Sequence, residues 1–235
     1  MITDIKAKAV QVTPVVTGEG DMDNPKMTKL GALFTADWRQ QLILAGLAWS
    51  AKVGGITASA DILPVVGGGN GTVIDTGQPE FIIGVPAGYY LIVMEASCAV
   101  YNIPASAGIT NIVLFADRTM SPVEASVSAT LQTPVNLLDG AATFPGTCYS
   151  AYTTDITAPI CSELLDYVCA QAGGASSAAS GGLTSQALKM DYKPLAPSIL
   201  AGPCQVELAF GGTVATSGMG IVKVAVVPVS YFPVS

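Results

Sequence analysis

Glu80 and Glu95 are the two carboxylates standing where a chemistry could be built. They lie in Glu80–Tyr101, two apolar runs dense in β-branched and aromatic residues and joined by Pro86-Ala87-Gly88. Paired carboxylates hydrolyse glycosides when they stand about 5–9 Å apart. The acids of this chain are scattered, and the sequence does not place two of them in that relation; both glutamates are expected at an edge or in solvent. The chain has no histidine. That removes Ser-His-Asp and Cys-His catalysis and the commonest metal ligand. No Gly-x-Ser-x-Gly elbow and no Ser-x-x-Lys occurs. The expectation is a protein that is not an enzyme, with no catalytic, cofactor-binding or metal-binding residues and no cofactor.

The remaining candidates read as structure. The five cysteines, Cys98, Cys148, Cys161, Cys169 and Cys204, are widely spaced with no Cys-x-x-Cys. Without histidine a zinc site would need thiolates and carboxylates alone, so the cysteines are expected as small buried hydrophobes in a reducing compartment. Asp21-x-Asp23-x-Pro25 lacks the glycine and the distal glutamate of a calcium loop. Gly67-Gly-Gly-Asn-Gly71 has no following Lys-Ser/Thr and is an inter-strand loop, not a phosphate cradle. Asn70-Gly71-Thr72 has the form of a glycosylation acceptor, but no basic and apolar leader precedes it. Trp38 and Trp49 are expected to anchor packing. Tyr149 and Tyr152 are the one aromatic pair in a loop that a binding surface could use.

Charged residues make up 11% of the 235-residue chain, and apolar ones 50%. A soluble domain usually carries about 25% charge, so much of this surface is expected to be covered by partners or coated by small residues. The apolar runs are cut by Pro, Gly or Asn, as at Asn102, Pro104, Gly108 and Asn111, too often for a spanning helix of ~20 residues. The per-strand signal of a transmembrane barrel is weaker and is not settled by composition. The net charge is −7, and six of the ten basic residues fall in the first 52 positions, offset there by acids. Such a distribution lacks the clustered basic patch of a nucleic-acid binder.

The elements that would position any site are strands. Pro86 interrupts the ladder between Phe81–Val85 and Tyr89–Tyr101, and Gly88 supplies the positive φ of a tight corner. Further strands are expected at Leu47–Val53, Ile109–Ala116, Ser126–Leu131, Leu188–Tyr192, Gln205–Phe210 and Gly220–Val227. The terminal strand carries Pro228 at an edge or bulge. Thr133–Ser150 reads as turns. A short helix is expected after Thr35 or Asp37, ending at Gly46. A second is expected over residues 158–171, where Ile160, Leu164 and Val168 recur at helical spacing. Gly173–Gly182 is a low-complexity loop. The turn spacing predicts an all-β sandwich with one or two short helices. Residues 1–30 read as an extended N-terminal arm and 31–235 as the folded domain.

Four segments carry a resemblance: Phe34-Thr-Ala-Asp-Trp-Arg-Gln-Gln41, Pro79-Glu-Phe-Ile-Ile-Gly-Val-Pro-Ala-Gly88, Phe115-Ala-Asp-Arg-Thr119, and Tyr192-Lys-Pro-Leu-Ala-Pro-Ser-Ile-Leu-Ala-Gly-Pro203. Together the chain resembles jelly-roll capsid proteins of icosahedral viruses, especially tail-less bacteriophages. The resemblance implies a single jelly roll, a homo-oligomer of trimeric, pentameric or hexameric capsomers tiling a virion shell, subunits made in the host cytoplasm, and no catalytic residues. Other capsid proteins are possible partners. The chain lacks the Arg-rich arm of many such proteins, so direct nucleic-acid binding is not expected. An acidic shell protein would suit a genome screened by an internal viral membrane. The alternative is a β-sandwich spike module binding a receptor or carbohydrate.

Overall fold

The computed structural model describes residues 37–56, 77–101, 108–118, 129–152, 161–172, 188–212 and 217–231, with the short stretches 8–9, 26–27, 62–63 and 65–66. In chain order these form β1 (Lys8–Ala9), β2 (Lys26–Met27), α1 (Trp38–Leu44), β3 (Ala48–Val53), β4 (Gly55–Ile56), β5 (Ile62–Leu63), β6 (Val65–Val66), β7 (Phe81–Val85) and β8 (Tyr89–Tyr101). There follow β9 (Gly108–Asp117), β10 (Thr130–Leu131), β11 (Val135–Asn136), β12 (Thr147–Ser150), β13 (Glu163–Ala172), β14 (Leu188–Tyr192), β15 (Ile199–Ala201), β16 (Cys204–Gly212) and β17 (Ser217–Pro228), then one 3-10 turn, Val229–Tyr231.

Two sheets pack face to face. One has the order β10-β12-β7-β16-β9-β13; the other is β11-β3-β17-β8-β14, with β15 also on β8 and β6 on β17. The pairs β3 with β17, β7 with β16, β8 with β14 and β9 with β13 are all antiparallel. They nest: the strands β3-β7-β8-β9 are matched by β17-β16-β14-β13 read backwards. A long hairpin has been rolled up so that its rungs alternate between the sheets. That wrapping is a jelly roll, one of the solutions by which antiparallel proteins close a core between two sheets. The fold is the all-β sandwich with few helices that the turn spacing predicts.

The core lies between the sheets. Cys204, Val206, Leu208 and Phe210 of β16 meet Val222, Val224 and Val226 of β17, with Phe81, Ile83, Leu91, Val93, Ile112 and Leu114 around them, all at most 2% exposed. The alternation in β16 and β17 is what period-2 patterning requires. The corner between β7 and β8 is as expected: Gly88 has φ +90°, and its carbonyl accepts from Val229 N at 2.9 Å. Gly220 has a different task. A Cβ there would stand 2.3 Å from the Ser97 carbonyl oxygen, within the β17–β8 pair. Gly220→Ala is therefore expected to lower the thermal midpoint, and a variant melting like the parent would show that these strands separate at no cost.

Helix α1 forms where expected. Asp37 caps it, its Oδ1 accepting from Gln40 N at 2.8 Å, and Gly46 with φ +72° ends the turn. The helix lies on the outer side of the seven-stranded sheet, where Trp38, Leu42 and Ile43 cover Ala48, Ile92, Met94, Ala225 and Val227. Arg39 pins it there, its guanidinium 4.4 Å from the Trp38 ring centroid and donating to the carbonyls of Met94 and Pro194.

The second expected helix is a strand. Residues 163–172 form β13, antiparallel to β9. The spacing read as a helical stripe is not one face here, because the register shifts between Leu164 and Asp166. The bulge inserts a residue, so Leu165 and Val168, three apart, both pack on the core, while Leu164 and Tyr167, also three apart, are both exposed. Leu164 and Val168, whose four-residue spacing suits a strand as well as a helix, therefore fall on opposite sides of this edge strand. Ile160, the first residue of that spacing, lies outside the described residues, as do Thr35, Gly67–Gly71 and Gly173–Gly182. Of the strand expected at Ser126–Leu131, Thr130–Leu131 is described and paired. The stretch read as turns holds β11 and β12. Pro228 ends a central strand, beyond the last pairing of β17 with β3 at Ala225. Of the arm, only the parallel pair β1 and β2 is described. No helix among the described residues is long and apolar enough to cross a membrane.

Candidate functional site

Glu80 and Glu95 are not brought together. Glu80 is 2% exposed, not solvent-facing as the sequence suggested. Its Oε2 accepts from Phe210 N at 2.6 Å, and its own N–H donates to the Leu208 carbonyl. The reason is at the end of the ladder. The ladder of β16 with β7 ends at Leu208 and Phe81, and the Glu80 carboxylate satisfies the Phe210 N–H beyond it, since a buried backbone donor must find an acceptor. Glu95 belongs to the other sheet and pairs with Lys223 Nζ at 3.1 Å across β8 and β17. Both groups are partly exposed, so the pair contributes at most about 1 kcal/mol.

All five cysteines are free. Cys98, Cys148 and Cys204 are buried as expected; Cys161 and Cys169 are not, because they lie on an edge strand and its approach. Burial pushes the Cys98 thiol up to about 12, with the Glu80 charge adding to the effect, and Cys204 up to about 11. Cys148 is raised by burial alone. These three stay protonated and unreactive at neutral pH. Reduction is therefore expected to leave the unfolding midpoint unchanged; a lower midpoint with reductant would reveal a bridge on which the fold depends.

Tyr149 and Tyr152 do not form a displayed pair. Their rings meet edge-on at 6.5 Å, and Tyr152 is buried with Ile82 on the outer side of the six-stranded sheet. Trp49, buried, meets Phe144 edge-on at 5.6 Å, the packing role expected of it. Among the described residues no three Cys, Asp or Glu converge as a metal cluster would need.

What the described surface does present is apolar edges. Eight large hydrophobic side chains are exposed. Three of them, Leu131 in β10, Val135 in β11 and Leu138 just beyond it, lie where those two strands end their sheets on one side. Four more, Leu164 and Tyr167 in β13, Leu195 between β14 and β15, and Ile199 in β15, lie on the opposite side. Only Ile221 lies elsewhere. Leu195 is 91% exposed.

The second edge is braced. Arg118, just past β9, donates through Nε and Nη2 to Glu163 Oε2 at 3.2 and 2.5 Å, and through Nη1 to the Ile199 carbonyl at 3.3 Å. Ser198 Oγ donates to Glu163 Oε1. These hydrogen bonds hold the Glu163 carboxyl below the usual carboxylate range, Ser198 first and Arg118 second. The cluster ties β9 and β13 of one sheet to β15 of the other, so Leu164 and Ile199 are held on one rim. Sequence reading missed both edges because exposure there depends on which strands end the sheets. The one signal available was Leu195 and Ile199 among prolines, in a segment of the resemblance. No protein-family model matches the chain, and none of the curated protein sequences matches it significantly.

Proposed function

We propose that the protein is a structural subunit that self-assembles side by side into the closed shell of a virion, a capsid protein without catalysis. The observation that carries this reading is the placement of seven of the eight exposed large hydrophobics on two opposite edges of the sandwich. Monomeric proteins seldom leave such patches uncovered. Two different patches on opposite sides suit a head-to-tail contact, in which the β13–β15 edge of one copy meets the β10–β11 edge of the next. Head-to-tail contacts close into rings when the rotation allows, and rings of jelly rolls are the capsomers that the resemblance implies.

Fold alone does not choose this function, since jelly rolls also serve lectins and cupins. Composition adds support: 11% charge in a chain half apolar fits a subunit whose flanks are covered by neighbours. A net charge of −7 argues against direct packing on nucleic acid and suits a shell facing a screened genome. The spike-module reading loses its best feature with Tyr152 buried. Negative-stain microscopy of the purified protein at rising concentration tests the proposal. Rings or closed particles of uniform size are expected; dispersed single subunits at every concentration would move the reading to a binding module.

A further inference from the structure

Glu207 is the one acid of the central strand β16, and its neighbours Val206 and Leu208 point into the core. Its own side chain therefore stands on the outer side of the six-stranded sheet, yet it is 0% exposed. Across the ladders it lies opposite Ile82 of β7 and Phe115 of β9, both buried. Oε1 accepts from Gln205 Nε2 at 2.7 Å, while Oε2 has no hydrogen-bond partner among the described residues. The titratable groups facing it are few. From β9 comes Asp117, also 0% exposed, which pairs in register with Gln205 and so stands diagonal to Glu207. From the approach to β13 comes Cys161, whose thiol is raised by burial first and then by the charges of Glu207 and Asp117. β7 contributes Ile82 and no charge. Arg118, next to Asp117, is engaged by Glu163 at the sheet edge instead.

A carboxylate with one oxygen bare, no cation beside it among the described residues and a second acid close by is a poor anion in this place. The geometry points to Glu207 as a proton-held lock: protonated, it lets the outer side of the six-stranded sheet stay sealed, and ionised, it must draw water in and loosen that side. Burial, with a smaller push from Asp117, raises its pKa from 4.5 to about 8, against a lowering by Gln205. The folded state then binds the proton more tightly than the unfolded chain. Stability from this group is complete below about pH 4.5, falls as pH rises, and is lost once pH passes about 8. The inference concerns the subunit itself and holds whether or not the protein forms shells.

The test is denaturant unfolding of the full chain from pH 5 to 9, for the parent and for Glu207→Gln, which keeps the acceptor for Gln205. Relative to Glu207→Gln, the parent should lose a factor on the order of a thousand in its folding constant over the range. Parallel profiles would overturn the inference. Infrared difference spectra, with Asp117→Asn as a second variant, give an independent reading. The band of an un-ionised carboxylic acid should be present in the parent at pH 7, absent at pH 10, absent from Glu207→Gln and retained in Asp117→Asn with its midpoint at lower pH. A parent with no such band at pH 7, or a band lost only in Asp117→Asn, overturns it. If Glu207→Gln does not fold, the parent's band and its fate in Asp117→Asn decide.

Discussion

Phe210→Ala is expected to destabilise the fold by about 3–5 kcal/mol, the range for deleting a buried phenylalanine ring. Phe210 is 0% exposed and sits on β16, which at this position pairs with β9 on one side and is held through its N–H by Glu80 Oε2 on the other. Its ring crosses the core to β17, where Gly218 makes room for it: a Cβ at position 218 would stand 2.8 Å from Phe210 Cζ. At Gly218, β17 is held on both sides, by β6 and β8. Neither strand can collapse into the cavity without breaking the hydrogen bonds on its flanks, so the full cavity cost should appear. Stabilities of such domains are about 5–15 kcal/mol, so the loss is a large share. The check is the denaturant midpoint at unchanged slope. Gly218→Ala alone should also destabilise, by collision with the ring. Combined with Phe210→Ala it should restore part of the loss, because the added methyl enters the space left by the ring. Strict additivity of the two changes would show that Phe210 and Gly218 do not meet across the core.

Leu195→Asp with Ile199→Asp is expected to abolish assembly and leave the sandwich folded. Leu195 is 91% exposed and Ile199 is 51% exposed. Surface changes of this kind usually alter stability by no more than about 0.5 kcal/mol. The Arg118 brace uses the backbone carbonyl of Ile199, which the substitution keeps. At an interface the same positions would face apolar side chains of the neighbour, and an unpaired buried carboxylate there costs several kcal/mol. A loss of about 2 kcal/mol at each contact already weakens association roughly thirtyfold. Since every subunit in a ring repeats the contact, the effect compounds. Light scattering and circular dichroism, read together, check this: particles vanish while the strand spectrum stays. Particles of normal size from the double variant would remove this edge from the assembly.

The strands were legible where period-2 patterning and turn chemistry agree. Pro86-Ala87-Gly88 marked the corner between β7 and β8, and Asp37 with Gly46 marked both ends of α1. The jelly-roll wrapping was expected from the resemblance, and the strand order of the two sheets bears it out. The strand over residues 163–172 was not legible, because the four-residue spacing of Leu164 and Val168 suits a helix as well as a strand, and the bulge that parts them is set by pairing with β9. Glu80 was misplaced because its burial follows from a donor on β16, the Phe210 N–H beyond the end of the ladder, that only the fold brings near. The burial of Glu207 was equally hidden: alternation puts it away from the core, and nothing local says that the far side of the sheet is sealed too. The apolar edges follow from topology alone, since an exposed leucine in sequence looks like any other.

Sedimentation velocity of the purified full chain across concentration, salt and pH tests the central claim most directly. Self-assembly into a closed shell predicts a discrete, fast-sedimenting species that grows at the expense of the subunit above a threshold concentration, with few intermediates between them. A single species at the mass of one 23.9 kDa chain under every condition would contradict it.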